Sequence, residues 1–188
     1  MNRFFTIALL CLVTIACNQS PKSRAFDKFK KQIAHLKLPY KKSCSDTVSH
    51  LKLNIPDSIF KKYAPPGASG IIGMLKDTDL YAVIVYSVSG DIQYPIVQTY
   101  NAEGDSLNNI GLLEGTCCGS ATNCSGSYWG EIASDLTITQ RDSERIFEKD
   151  KSGNYLTDKF KLINKTAQYT ITNEGYIRLK TAEATKAN

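Results

Sequence analysis

Apolar residues along this chain recur with two different spacings, and the change from one to the other divides it. Between Ala25 and Leu38 the apolar positions Phe26, Phe29, Ile33 and Leu36 lie 3, 4 and 3 apart. That spacing predicts one face of an amphipathic helix, stopped by Pro39. Val48, Leu51, Leu53 and Ile55 predict a short strand. Pro56-Asp57 then opens a helical turn over 57–62, closed by Pro65-Pro66-Gly67. From Ile71 onward the pattern is that of strands. Leu80 to Val88, LYAVIVYSV, is apolar on both alternating faces, which predicts a central strand buried on both sides. Further strands are expected over 71–75, 94–100, 107–113, 128–133, 136–140, 145–149, 155–163, 167–172 and 176–179. Turns are expected at Ser89-Gly90-Asp91, at 101–105 and at Asn173-Glu174-Gly175. Around Leu136–Gln140 and Tyr169–Thr172 apolar residues alternate with threonines, so one side of that part of the sheet should face water.

Strands this close together, with no helical pattern between them, must pair antiparallel. The predicted class is mainly β (α+β): an antiparallel meander, sandwich- or barrel-like, with one N-terminal amphipathic helix packed on it.

The first seventeen residues are of another kind. Met1-Asn2-Arg3 is a short basic start, and FFTIALLCLVTI is an apolar run of twelve. A helix needs about twenty such residues to span a bilayer, so the run suits a signal peptide. It ends in Thr14-Ile15-Ala16-Cys17, followed by the polar run Asn18-Gln19-Ser20-Pro21-Lys22. This resembles the bacterial lipobox, in which a small residue precedes a cysteine that receives diacylglycerol. Thr14 stands where leucine is usual, a departure common in Bacteroidota-type lipoproteins. The resemblance implies a signal peptide over 1–16, lipidation of Cys17, a tether over 17–24 and a single domain over 25–188. Acyl chains on Cys17 would anchor the protein without a spanning helix. Asn18 after the cysteine, with no acid before Asp27, implies the outer membrane and favours its periplasmic face over the cell surface. The likeness extends to small lipoproteins of Bacteroidota in general; the mature domain matches no family by motif.

Of 188 residues, 172 remain without the signal, a comfortable size for one core. Hydrophobic content of 42% and charged content of 22% are those of an ordinary globular domain. Net charge is +5, or +4 without Arg3. The lysines at 28, 30, 31, 37, 41 and 42 crowd the N-terminal stretch, while those at 149, 151, 159, 161 and 165 are interleaved with acids. Neither group forms the basic stripe of a nucleic-acid binder, so no nucleic-acid partner is expected.

Cys44, Cys117, Cys118 and Cys124 remain in the mature chain, an even number in an oxidising compartment. An adjacent Cys117–Cys118 ring would be strained. Cys44 is therefore expected to pair with one of them and Cys124 with the other. The loop TCCGSATNC suits a small bridge such as Cys118–Cys124. Zinc would want thiolates paired two to four residues apart with a matching second pair or histidines, and His35 and His50 are isolated. Redox chemistry would want C-x-x-C, which does not occur. No metal or cofactor is expected.

No catalytic residue can be picked. There is no G-x-S-x-G, and in Gly126-Ser127-Tyr128-Trp129-Gly130 the serine stands in the wrong place. Glu103, Asp105, Glu114 and Glu131 lie near loops, but eighteen acids offer such pairs anywhere. Whether the protein is an enzyme is open, with the weight against.

Aromatics point to binding. Tyr128 and Trp129, beside the cysteine loop, would make a stacking platform for sugar or peptide if half-exposed; the competing reading packs Trp129 as core. Asp46-Thr47-Val48, Asp57-Ser58-Ile59 and Asp105-Ser106-Leu107 resemble the aspartate–hydroxyl–apolar sequon of Bacteroidota O-glycosylation, which would place glycans on Thr47, Ser58 and Ser106. The functional expectation is a membrane-tethered envelope lipoprotein that binds another envelope protein or glycan. The alternatives are an envelope hydrolase, or an inhibitor of a secreted enzyme that uses the stapled loop.

Overall fold

A computed structural model describes residues 20–89, 93–113 and 124–187. The signal sequence and the lipidation residue Cys17 lie outside the described residues, as do Gly90 and Asp91 of the expected Ser89-Gly90-Asp91 turn. The described elements are helices α1 (Pro21–Lys30) and α2 (Asp57–Tyr63) and nine strands. These strands are β1 (Tyr40–Ser43), β2 (Ala68–Asp77), β3 (Tyr81–Val88), β4 (Tyr94–Asn101), β5 (Ser106–Gly111), β6 (Cys124–Ile132), β7 (Ile138–Lys149), β8 (Tyr155–Ile171) and β9 (Ile177–Ala187).

Two antiparallel meanders result, one of order β2-β3-β4-β5 and one of order β6-β7-β8-β9, with β1 added beside β6. The expected mainly-β class therefore stands. Both sheets are open, so the barrel option falls and a sandwich-like pairing remains.

The period-2 pattern of β3 explains the layering. Tyr81, Val83 and Val85 point into a cluster shared with Val97, Ile132 and Ile138, which lies between the two sheets. Ala82, Ile84 and Tyr86 point the other way, into a second cluster with Phe26, Phe29 and Tyr63 of the helices. Every residue of β3 is buried, as its two apolar faces require. At the centre of the helix-side cluster, the Tyr100 hydroxyl donates to the Tyr63 carbonyl and lies 2.8 Å from the Tyr86 hydroxyl.

Helix α1 departs from its expected bounds at both ends. It begins at Pro21, inside the expected tether, with Ser20 accepting a hydrogen bond from the Ser23 amide and proline in the first turn. It stops at Lys30 rather than Leu38, and the chain beyond crosses to the exposed edge of β2. There the Leu36 amide donates to the Met74 carbonyl and the Met74 amide to the Ala34 carbonyl. Ile33 still reaches the core from the turn after the helix, where its amide donates to the Lys30 carbonyl, and Leu36 does so from the segment that protects the sheet edge. Residues 48–55 serve the same edge without forming the expected strand: the Leu51 amide donates to the Ile71 carbonyl. The short helix at Asp57 forms as expected.

In the second meander two expected breaks are absent. Residues 136–140 and 145–149 belong largely to one strand, β7, and 155–163 and 167–172 to one strand of 17 residues, β8. No Gly or Pro interrupts either stretch, so the pairing runs through. Their far halves project beyond the cover of the first sheet.

Candidate binding groove

The projection leaves part of the second sheet's inner face without a sheet to pack on. Residues opposite each other in an antiparallel pair point to the same side. The register therefore places Gly130, Gln140, Ala167 and Ala182 in one row across β6 to β9, and Tyr128, Asp142, Lys165 and Ala184 in the next. The first row marks where the core ends. Its Gln140 amide donates to the Gly111 carbonyl at 2.6 Å, which ties the far end of β5 to the second sheet. Beyond that tie, side chains of both rows line a groove of about 490 Å³.

The floor of this groove is alanine on one side and charged on the other. Ala167, Ala182 and Ala184 make it shallow and apolar, while Tyr128 and Asp142 stand opposite. Asp142 is 7% exposed, and among the described residues neither of its carboxylate oxygens has a hydrogen-bond partner. The nearest cation, the Lys165 ammonium, is 3.5 Å from Oδ2 on a side chain that is itself more than half exposed. A close charge-assisted contact would be about 2.7–2.9 Å. Tyr128, 8% exposed, is held firmly as the neutral phenol. Burial pushes its hydroxyl up, and the Asp142 carboxylate opposite raises it further, first through a hydrogen-bond interaction too poorly formed to count as a closed bond and then through its charge, with Glu144 adding to it.

Tyr128 and Trp129 do not form one platform. Consecutive strand residues point to opposite faces. Tyr128 lines the groove, whereas Trp129 lies half-buried on the outer face with the Arg141 guanidinium 4.7 Å from its ring centroid. The same outer face carries Arg145 over Phe160 at 5.0 Å and Lys149 over Tyr155 at 4.7 Å. Sequence reasoning picked Tyr128 for its ring and missed Asp142 and Lys165. They are 23 positions apart and become neighbours only through the β7–β8 register.

The other expected sites are scattered. The Cys44 amide donates to the Tyr128 carbonyl, continuing the β1–β6 ladder, and Cys44 is disulfide-bonded. Cys117 and Cys118 lie outside the described residues, as does the side chain of Cys124. Thr47, Ser58 and Ser106 are all exposed, and the Ser106 hydroxyl accepts from Gln98 at 2.7 Å. His35 bridges to Met74 at the β2 edge, and His50 lines a separate surface depression with Leu51 and Phe60. Among the described residues, no group of three or more His, Cys, Asp or Glu could hold a metal, and no helix is long and apolar enough to cross a membrane.

The chain matches no family model, no curated protein and no solved structure.

Proposed function

We infer that this is an envelope lipoprotein, tethered through Cys17 to the periplasmic face of the outer membrane, that binds another envelope protein or glycan in the groove between Tyr128 and Ala184. The observation that carries the reading is the Asp142 carboxylate, buried beside a groove with neither oxygen in a closed hydrogen bond among the described residues. Burying a carboxylate without hydrogen bonds costs several kcal/mol in real proteins, and a polar group left unsatisfied in a native fold calls for an explanation. An alanine floor beside it leaves room for a ligand to supply the donors. A bonded Cys44, one residue beyond β1, fits an oxidising compartment and a structural bridge to one of Cys117 or Cys118, with Cys124 bridging the other.

The test combines the anchor and the groove. Wild-type protein in intact cells should take up radiolabelled lipid and crosslink to a defined envelope component. Cys17→Ala should lose the label, and Ala182→Trp, which fills the groove, should keep the label and lose the crosslink. A labelled Cys17→Ala variant would overturn the anchor. A crosslink indifferent to Ala182→Trp would move the binding surface elsewhere.

A further inference from the structure

We propose that the groove takes the guanidinium of an arginine side chain from a partner polypeptide, which displaces Lys165 and pairs with both oxygens of Asp142. The proposal rests on the groove being the binding site and narrows its ligand. Three features of the site favour this occupant.

The first is stoichiometric. Asp142 presents two buried oxygens, neither in closed hydrogen-bond geometry with a donor among the described residues, the Tyr128 hydroxyl reaching the carboxylate only loosely. A guanidinium offers two parallel N–H groups in a planar fork that fits a carboxylate bidentately, whereas an ammonium meets it as a point charge.

The second is the cover. Lys165 is the cation paired with the carboxylate, yet its ammonium stands off at 3.5 Å and its side chain is 55% exposed. A cation held this loosely can swing to solvent without breaking a hydrogen bond within the protein. Its departure leaves an unpaired buried charge, so a second cation must replace it. The site thus carries its own internal competitor of the same charge as the ligand.

The third is the floor. Ala167, Ala182 and Ala184 form a small-residue shelf beside Asp142, against which the three methylenes of an arginine stem can lie while its head reaches the carboxylate. Glu183 on the rim adds a second negative charge at the groove mouth.

The experiment titrates the folded protein with a short extended peptide carrying a central arginine, followed by calorimetry or by amide shifts of residues 165–167. The same peptide with citrulline, the neutral isostere, and with lysine serve as controls. Arginine should bind, lysine about tenfold more weakly, and citrulline not measurably. Asp142→Asn should abolish binding, whereas Lys165→Ala should tighten it several-fold by removing the competitor; thermal melts of both variants verify folding. Equal binding of citrulline, weaker binding by Lys165→Ala, or no binding by any peptide would each overturn the proposal. If the cellular crosslink survives Asp142→Asn yet is lost with Ala182→Trp, the groove remains the binding site and the arginine ligand alone is refuted. If the crosslink ignores both, the groove itself falls.

Discussion

Gly130 of β6 lies directly beneath Leu112: a Cβ on Gly130 would stand 2.2 Å from the Leu112 carbonyl oxygen and 2.6 Å from its Cγ. Leu112 is fully buried, and its amide donates to the Pro95 carbonyl, so it holds the end of the first meander down on the second. Two sheets approach this closely only where one of them lacks a side chain. Because the obstructing atom is backbone, a methyl group cannot be accommodated by a rotamer change.

Gly130→Ala should therefore separate the sheets locally and cost about 2–4 kcal/mol, somewhat beyond ordinary overpacking. Thermal unfolding is the check, with an expected fall in Tm of several degrees. An unchanged Tm would mean that Leu112 does not seat as described. Since Gln140 shares the row of Gly130, the variant should also loosen the groove's inner wall.

Asp142→Asn should leave the protein at least as stable as wild type. Removing one partner of a good ion pair is normally costly, but here the pair is loose and the carboxylate otherwise unsatisfied. Neutralising it removes a desolvation penalty and gives up little attraction, a gain of about 1 kcal/mol. For a chain of this size that is a rise in Tm of roughly 2–4 °C. Such a gain, coupled to loss of binding, is the usual signature of a residue kept for function. A drop of several degrees would instead show that Lys165 and Asp142 stabilise the fold.

What could be read from the sequence follows from the range of the interactions involved. β3 was legible because eight consecutive residues have to satisfy two cores, and only a doubly buried strand has that pattern. The Asn101–Asp105 turn was legible because its chemistry is local: Asn101 Oδ1 accepts from the amides of Glu103 and Asp105, and Gly104 takes φ +86°. The end of α1 was not. Leu36 keeps helical spacing by coincidence, while the backbone of Ala34 and Leu36 is claimed by the edge of β2, some forty residues on. Nor was the groove legible, because Asp142 and Lys165 read in sequence as ordinary solvated charges of a sheet's wet face. Only the unequal lengths of the two meanders turn that stretch of inner face into a cavity.

Trp129→Ala should separate the two faces of β6. Trp129 is half-buried and stacks on Arg141, a pairing worth about 0.5–1 kcal/mol at an exposed site. With the lost apolar area, destabilisation of about 1–2 kcal/mol is expected. The fold and the response of the groove to ligand should persist. Unfolding of the variant would return Trp129 to the core. Loss of groove binding in a folded variant would show that Arg141, which also lines the groove, transmits the stack to the inner face.

Lys30 supplies a prediction for alkaline pH. It is 7% exposed at the end of α1, with its ammonium 3.2 Å from Asp27, bonded also to Asp77 of β2, and 5.3 Å from the Phe26 ring centroid. Burial by itself would lower its pKa, but the hydrogen bonds and charges of Asp77 and Asp27 outweigh that and raise it above the ordinary 10.5. A folded-state pKa above the unfolded one means that the charged form favours folding. That stabilisation is complete below about pH 10.5 and declines as pH rises through the raised folded value. Lys30→Met keeps the stem and removes the charge. It should cost about 1–2 kcal/mol at pH 7, since both acids retain some access to water. Lys31, Asp79 and Glu103 line the same surface depression in both proteins, so the difference between the two isolates Lys30. Melts of the two proteins from pH 7 to 11.5 should show a constant gap in Tm up to about pH 10.5 that narrows above it. A gap that instead widens as pH rises above about 9 would place the folded pKa below its ordinary value, and burial would then outweigh Asp77 and Asp27.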